Sequence, residues 1–145
     1  MKYKEFFITF FMFLTFYCNS QFKDYNNTIG FTCGGSGSLT PILNRTYQMI
    51  KDKNYNTLKT FLISNNASEN FIGVVICEKF KEKGILLLTE KEIEKILKLY
   101  KSNKKVEVCD GCGEGDLVKL STLLHNKDES KIREEFELWL NESLN

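Results

Sequence analysis

The cysteines are the residues of this sequence whose type and spacing offer the clearest chemistry. Cys33, Cys77, Cys109 and Cys112 follow the first twenty residues, and the last two form a Cys-x-x-Cys pair. An even number of cysteines in an exported chain favours disulfides, and four cysteines allow three complete pairings. We therefore expect disulfides among these residues, with the connectivity left open.

Cys77 also fits a second interpretation. It stands among Val74, Ile76 and Phe80 on a segment that is predicted to be a buried helix. A cysteine in such surroundings acts as a small apolar residue with an inert thiol. A partial pairing that leaves Cys77 free is therefore an open alternative.

The Cys109–Cys112 pair is the basis of an alternative function, thiol-dependent redox exchange or metal capture. The order of a strand over Val106-Glu107-Val108, then Cys-x-x-Cys, then a helix resembles that of thioredoxins and implies dithiol exchange. Thioredoxins, however, continue with strands, whereas the 33 residues after Cys112 are predicted to be helical. Gly113 and Gly115 also separate the pair from the following helix.

The same loop contains candidate ligands for a metal ion. Zinc would need Cys109 and Cys112 together with Cys33 and either Cys77 or His125, but a second closely spaced pair is missing. Calcium at Asp110, Glu114 and Asp116 would not match the spacing of an EF-hand loop. We expect neither a metal site nor a cofactor.

The sequence carries no signature of catalysis. Its single histidine, His125, stands in a polar turn, and no Gly-x-Ser-x-Gly nucleophile motif occurs. The 20 Lys and Arg residues balance 19 Asp and Glu, a formal net charge of +1. A nucleic-acid-binding domain would normally be more basic. We predict a non-enzymatic chain whose partner is another protein and that binds no nucleic acid.

The first twenty residues have the pattern of a signal peptide. Lys2 and Lys4 precede an apolar run from Phe6 to Tyr17, and the small residue Ser20 ends the segment. We expect removal of residues 1–20 and export to the periplasm or the medium. Cleavage before Cys18 would instead give a lipoprotein anchored to the membrane, but Phe16 and Tyr17 occupy positions where a lipobox has small residues.

The rest of the chain is predicted to be all-α. Residues 21–38, with Gly34-Gly35-Ser36-Gly37, are expected to form a flexible polar arm, and residues 39–145 a single domain of about six helices. The helices are expected to start at Thr40-Pro41, Asn54, Ser68, Thr89 with Glu92 as a capping box, Asp116, and Asp128 or Ser130. The third helix is expected to end at Gly84 and to lie in the centre of the domain.

A short helix, a polar turn and a longer helix occur twice. Leu58-Lys-Thr-Phe-Leu62 with the turn 64–68 is similar to Leu120-Ser-Thr-Leu-Leu124 with the turn 126–130. This unit resembles that of HEAT-like helical repeat proteins, which implies a short α-solenoid as the alternative to a small helical bundle. Both architectures favour a binding or interaction module, of immunity or adaptor type, over an enzyme.

Overall fold

The computed structural model describes residues 27–33, 38–109, 115–125 and 131–144. The predicted signal peptide, including Cys18, lies outside these ranges, as do Gly34–Gly37, Cys112 and the turn 126–130. The described part contains six α-helices and three short strands: β1 (Thr28–Ile29), α1 (Pro41–Lys51), α2 (Tyr55–Thr60), α3 (Ala67–Glu82), α4 (Glu90–Leu99), β2 (Lys105–Val108), β3 (Asp116–Lys119), α5 (Leu120–Leu124) and α6 (Ile132–Ser143). A 3-10 turn, Phe61–Ile63, extends α2.

The fold is mostly helical, but it is not the all-α fold that the sequence predicted, because it also contains a small sheet. The strands form one sheet in the order β1-β2-β3, in which β1 is parallel to β2 and β3 is antiparallel to it. Thr28 is opposite Glu107, and Val106 is opposite Val118. The sequence predicted a strand only at Val106–Val108. The HEAT-like arrangement of the helices stays a prediction.

β1 lies within the region that was expected to be a flexible arm. Thr28 and Ile29 are fully buried, and the Thr28 hydroxyl donates a hydrogen bond of 2.9 Å to the Glu107 carboxylate. The backbone N–H of Cys109 donates to the carbonyl of Ile29 at 2.8 Å. This part of the expected arm is therefore packed into the domain. Pairing with β2 supplies backbone hydrogen-bond partners from a distant part of the chain, which a local sequence pattern cannot predict.

The prediction of a helix beginning at Asp116 is wrong. Asp116–Lys119 is β3, and α5 begins only at Leu120. A short segment with a potential N-cap is compatible with both states, and pairing with β2 decides between them. The last helix begins after Lys131, which has φ 52°, whereas its expected caps Asp128 and Ser130 lie outside the described residues.

α3 is the central helix of the domain, as its apolar residues predicted. Phe71, Ile76 and Phe80 are fully buried within it, and Asn66 caps its first turn by accepting a hydrogen bond from the Ser68 N–H at 2.8 Å. The helix ends at Glu82, and Gly84 two residues later has a φ of +70°, in the left-handed region that favours glycine and terminates helices. The sequence therefore located both the burial and the end of this helix.

Gly73 allows the 3-10 turn to approach α3 closely. A Cβ atom at this position would lie 2.9 Å from the Cβ of Phe61 and 3.1 Å from the backbone nitrogen of Leu62. Real Cβ atoms do not approach other atoms so closely, so any side chain here would push the turn away.

An ion-pair network joins α3, α4 and α6 on one side of the core. The Arg133 guanidinium donates to the carboxylates of Glu78 at 3.0 Å and Glu137 at 2.8 Å, and to the Tyr100 hydroxyl at 2.7 Å. It also donates to the carbonyl of Leu124, at the end of α5. Burial lowers the pKa of Arg133, but its hydrogen bonds raise the pKa by more, so the residue stays charged.

Candidate functional site

The structure brings together two of the four predicted thiol-site residues. The sulfur atoms of Cys33 and Cys109 lie at disulfide-bonding distance, with their Cα atoms 5.8 Å apart. The pair connects the end of the β1 segment to the end of β2, and Cys33 and Cys109 are only 6% and 2% exposed. Such a burial is typical of a structural disulfide.

Cys77 is a free cysteine in the core. The pKa of its thiol is raised to about 12, mainly by burial and to a smaller extent by the nearby carboxylate of Glu92. The thiol is therefore protonated at neutral pH and cannot act as a nucleophile in the folded protein. The structure therefore agrees with the interpretation of Cys77 as a small apolar core residue and not with its pairing in a disulfide.

The other candidate ligands do not form a cluster in the described part of the chain. Asp116 lies in β3, and the His125 ring packs edge-on against Tyr100 with ring centroids 5.1 Å apart. Asp110 and Glu114 lie outside the described residues. Within the described ranges, no group of three or more His, Cys, Asp or Glu side chains could hold a metal ion.

A groove of about 370 Å³ lies between α2 with its 3-10 turn and α4. We call it the basic groove, because three lysines line it against one glutamate. Its lining residues are Asn56, Lys59, Thr60, Leu62, Ile63, Lys91, Glu92 and Lys95. Its volume is within the range of about 300–1,000 Å³ that binding sites commonly have.

Lys59 and Glu92 connect the two walls of the basic groove. The Lys59 ammonium donates to the Glu92 carboxylate at 3.1 Å and to the carbonyl of Leu87 at 2.7 Å. Both side chains are mostly buried, with 18% and 24% exposure. These contacts fix α4 against the 3-10 turn, so the groove exists before any ligand arrives.

Glu92 has this position because it belongs to the predicted capping box of α4, which the structure confirms. Its carboxylate accepts hydrogen bonds from the Thr89 backbone N–H at 2.7 Å and from Lys59. Burial raises the pKa of Glu92, but the hydrogen bonds from Thr89 and the charge of Lys59 lower it by more. The net effect is a pKa below the usual range, so Glu92 is ionised at neutral pH.

The other two lysines of the groove are available to a ligand. Lys91 is exposed and Lys95 half-buried, and neither forms an ion pair with any described residue. Beside them the apolar side chain of Ile63 is 71% exposed. Two free ammonium groups next to an exposed apolar side chain can bind a ligand that carries both carboxylates and an apolar group.

The basic groove was not predicted from the sequence. In the folded chain Glu92 pairs with Lys59, and the Lys104 ammonium donates to the buried Asn70 side chain at 2.9 Å. The capping box was the only local signal for any groove residue. Lys59 lies 33 residues from Glu92, so their contact becomes visible only in the folded chain.

Comparison of the chain with protein-family models, with curated proteins and with solved structures finds no match. Among the described residues, no helix is long and apolar enough to cross a membrane.

Proposed function

We propose that the protein is a non-enzymatic interaction module that binds an acidic segment of another protein in the basic groove. The observation that carries this proposal is the placement of Lys91 and Lys95, without ion-pair partners among the described residues, beside the exposed side chain of Ile63. Exposed apolar surface with a polar rim is a feature of protein interaction sites.

The charges and the apolar side chain have different roles in this interaction. The two ammonium groups attract carboxylates and orient the partner, which mainly increases the association rate. Ile63 loses its contact with water when the partner covers it, which contributes affinity. The partner segment should therefore carry Asp or Glu residues around one apolar side chain.

The rigidity of the groove also supports binding. Lys59 and Glu92 already hold its walls together, so little side-chain freedom is lost when the partner arrives. Glu92 is neutralised by Lys59, which leaves the positive charge of Lys91 and Lys95 uncompensated. The groove is therefore complementary to negative charge.

The alternative function, thiol exchange or metal capture by Cys109 and Cys112, has less support. The Cys109 sulfur pairs with Cys33 and is almost fully buried, and Cys112 lies outside the described residues. Neither Cys33 nor Cys109 lines the basic groove. A redox-active pair would need a sulfur atom that solvent or a substrate can reach.

The cellular location is part of the same proposal. The pattern of residues 1–20 favours export to the periplasm or the medium, or anchoring through Cys18, and a Cys33–Cys109 disulfide is compatible with an oxidising compartment. An exported helical module of this size suits an immunity-like or adaptor-like role.

Site-specific photocrosslinking tests the proposed binding site. A photoreactive residue replaces Ile63 in one variant and Leu138 in another, since these side chains are similarly exposed, at 71% and 61%. Crosslinking is carried out in the cells that produce the protein. We expect the Ile63 variant to form an adduct with one protein, and mass spectrometry should map the crosslink to an acidic segment of that protein. The Leu138 variant should lack this adduct. Equal adducts at both positions, or none at Ile63, would contradict the proposal.

A further inference from the structure

A second groove, of about 420 Å³, lies between α1 and α6. It has an aromatic wall formed by Tyr47 and Trp139 and a polar rim formed by Asn44, Gln48 and Glu142. We call it the aromatic groove. It shares no residue with the basic groove, so a ligand here would be independent of the proposed function.

Trp139 is half-buried and lines the groove, so part of its ring is accessible from the groove. Its ring centroid lies 5.9 Å from that of Phe31, 6.3 Å from that of Tyr47 and 5.3 Å from that of Phe136, at interplanar angles of 58°, 51° and 46°. None of these contacts is parallel. Its indole N–H also has no hydrogen-bond partner among the described residues, although a tryptophan at a binding site usually uses this donor.

The polar rim has hydrogen-bonding capacity to spare. Gln48 and Glu142 are exposed, and within the described ranges their side chains form neither hydrogen bonds nor ion pairs. The Asn44 amide donates to the carbonyl of Leu39 at 3.2 Å and keeps its oxygen free as an acceptor. Amides and a carboxylate can therefore offer both donors and acceptors beside the Trp139 ring.

The charges around the aromatic groove favour a neutral ligand. Glu142 is the only ionisable side chain of its polar rim and repels anions. The Lys51 ammonium lies 5.2 Å from the centroid of the Tyr47 ring and repels cations from that wall. A ligand without charge avoids both repulsions.

We propose that the aromatic groove binds a neutral saccharide. A sugar ring has a face of C–H groups, which can lie against Trp139, and a rim of hydroxyl groups, each of which donates and accepts hydrogen bonds. Gln48, Glu142 and the free oxygen of Asn44 are placed to bind those hydroxyls. A groove of this volume is large enough for a small ligand of this class.

Fluorescence titration tests the proposal, because Trp139 is the only tryptophan of the chain and reports directly on this groove. The full chain is titrated with cellotriose, maltotriose and triacetylchitotriose. We expect a saturable change in emission with at least one of them. Gln48→Ala removes a hydrogen bond, and Glu142→Gln replaces a charged acceptor with a neutral and weaker one. Each change corresponds to about fivefold in Kd, so each variant should bind more weakly by about that factor.

The matched control is Glu134→Gln, which removes another exposed carboxylate of α6, outside the groove, and should leave Kd unchanged. Calorimetric titration of Trp139→Ala, checked for folding by circular dichroism, should detect no binding. The proposal is overturned if no saccharide gives a saturable change, or if Gln48→Ala and Glu142→Gln bind as tightly as the unaltered chain. An equal response to an uncharged peptide would also overturn it, because the groove would then be a peptide site.

Discussion

Replacement of Arg133 by methionine should destabilise the domain more than a substitution that removes a single exposed ion pair. Arg133→Met keeps the aliphatic length of the side chain but removes the hydrogen bonds to Glu78, Glu137, Tyr100 and the Leu124 carbonyl. Among the described residues, Glu78 then keeps only the hydrogen bond from the Tyr100 hydroxyl, at 2.9 Å. The change therefore leaves a partly buried carboxylate without its cation.

The size of this effect follows from the contacts and their burial. Hydrogen bonds to charged groups contribute about 1.5–3 kcal/mol each, but bonds that share one guanidinium are not additive. The Arg133 side chain is 17% exposed and that of Glu78 is 33% exposed, so solvent replaces part of the lost interaction. We expect a loss of about 2–3 kcal/mol in the free energy of unfolding, which corresponds to a decrease in Tm of about 10 °C.

Urea unfolding followed by Trp139 fluorescence measures this loss. Arg45→Met is the matched control, because it removes a single ion pair, with Glu69, from a side chain that is 51% exposed. Exposed ion pairs contribute at most about 1 kcal/mol to stability. The free energy of unfolding should therefore fall by at least about 1 kcal/mol less in Arg45→Met than in Arg133→Met. Equal losses in the two variants would refute the reasoning, since the network would then contribute no more than a surface pair.

Three further changes test separate parts of the structure. Glu92→Gln should cost about 1 kcal/mol at pH 7. Folding lowers the pKa of Glu92, so its contribution to stability is present above about pH 4.3 and is lost as pH falls through the folded pKa. In thermal unfolding measured from pH 7 to pH 3, the Tm values of the unaltered chain and of Glu92→Gln should therefore converge. Cys33→Ser with Cys109→Ser should cost about 4 kcal/mol in urea unfolding, because the residues are 76 positions apart, and Cys77 should resist iodoacetamide until the chain unfolds. Gly73→Leu should lower the free energy of unfolding by about 2 kcal/mol or more, because the added side chain meets the 3-10 turn.

The sequence was sufficient for features that depend on neighbouring residues. The capping box of Thr89 and Glu92, the termination of α3 by Gly84 and the burial of Cys77 were all predicted, because each depends on a spacing of a few residues or on local hydrophobicity. These features define the ends of helices and the centre of the core.

Features that depend on distant residues were missed. β1 has only two residues and is stable through its pairing with β2, 79 positions away, while Asp116 begins a strand because β2 lies beside it. The basic groove likewise joins Lys59 to Glu92 across 33 positions. Local patterns carry no information on such pairings, so the sequence predicted more helix than the structure has and did not locate either groove.

The most direct test of the account is charge reversal in the basic groove. The Lys91→Glu/Lys95→Glu variant is compared with Lys81→Glu/Lys101→Glu, which changes the net charge equally at exposed lysines outside the groove. Both carry the photoreactive residue in place of Ile63. We predict that the first pair abolishes the adduct and that the second pair keeps it. An adduct that persists in the first variant, or that disappears equally in both, would contradict the claim that Lys91 and Lys95 recognise an acidic partner.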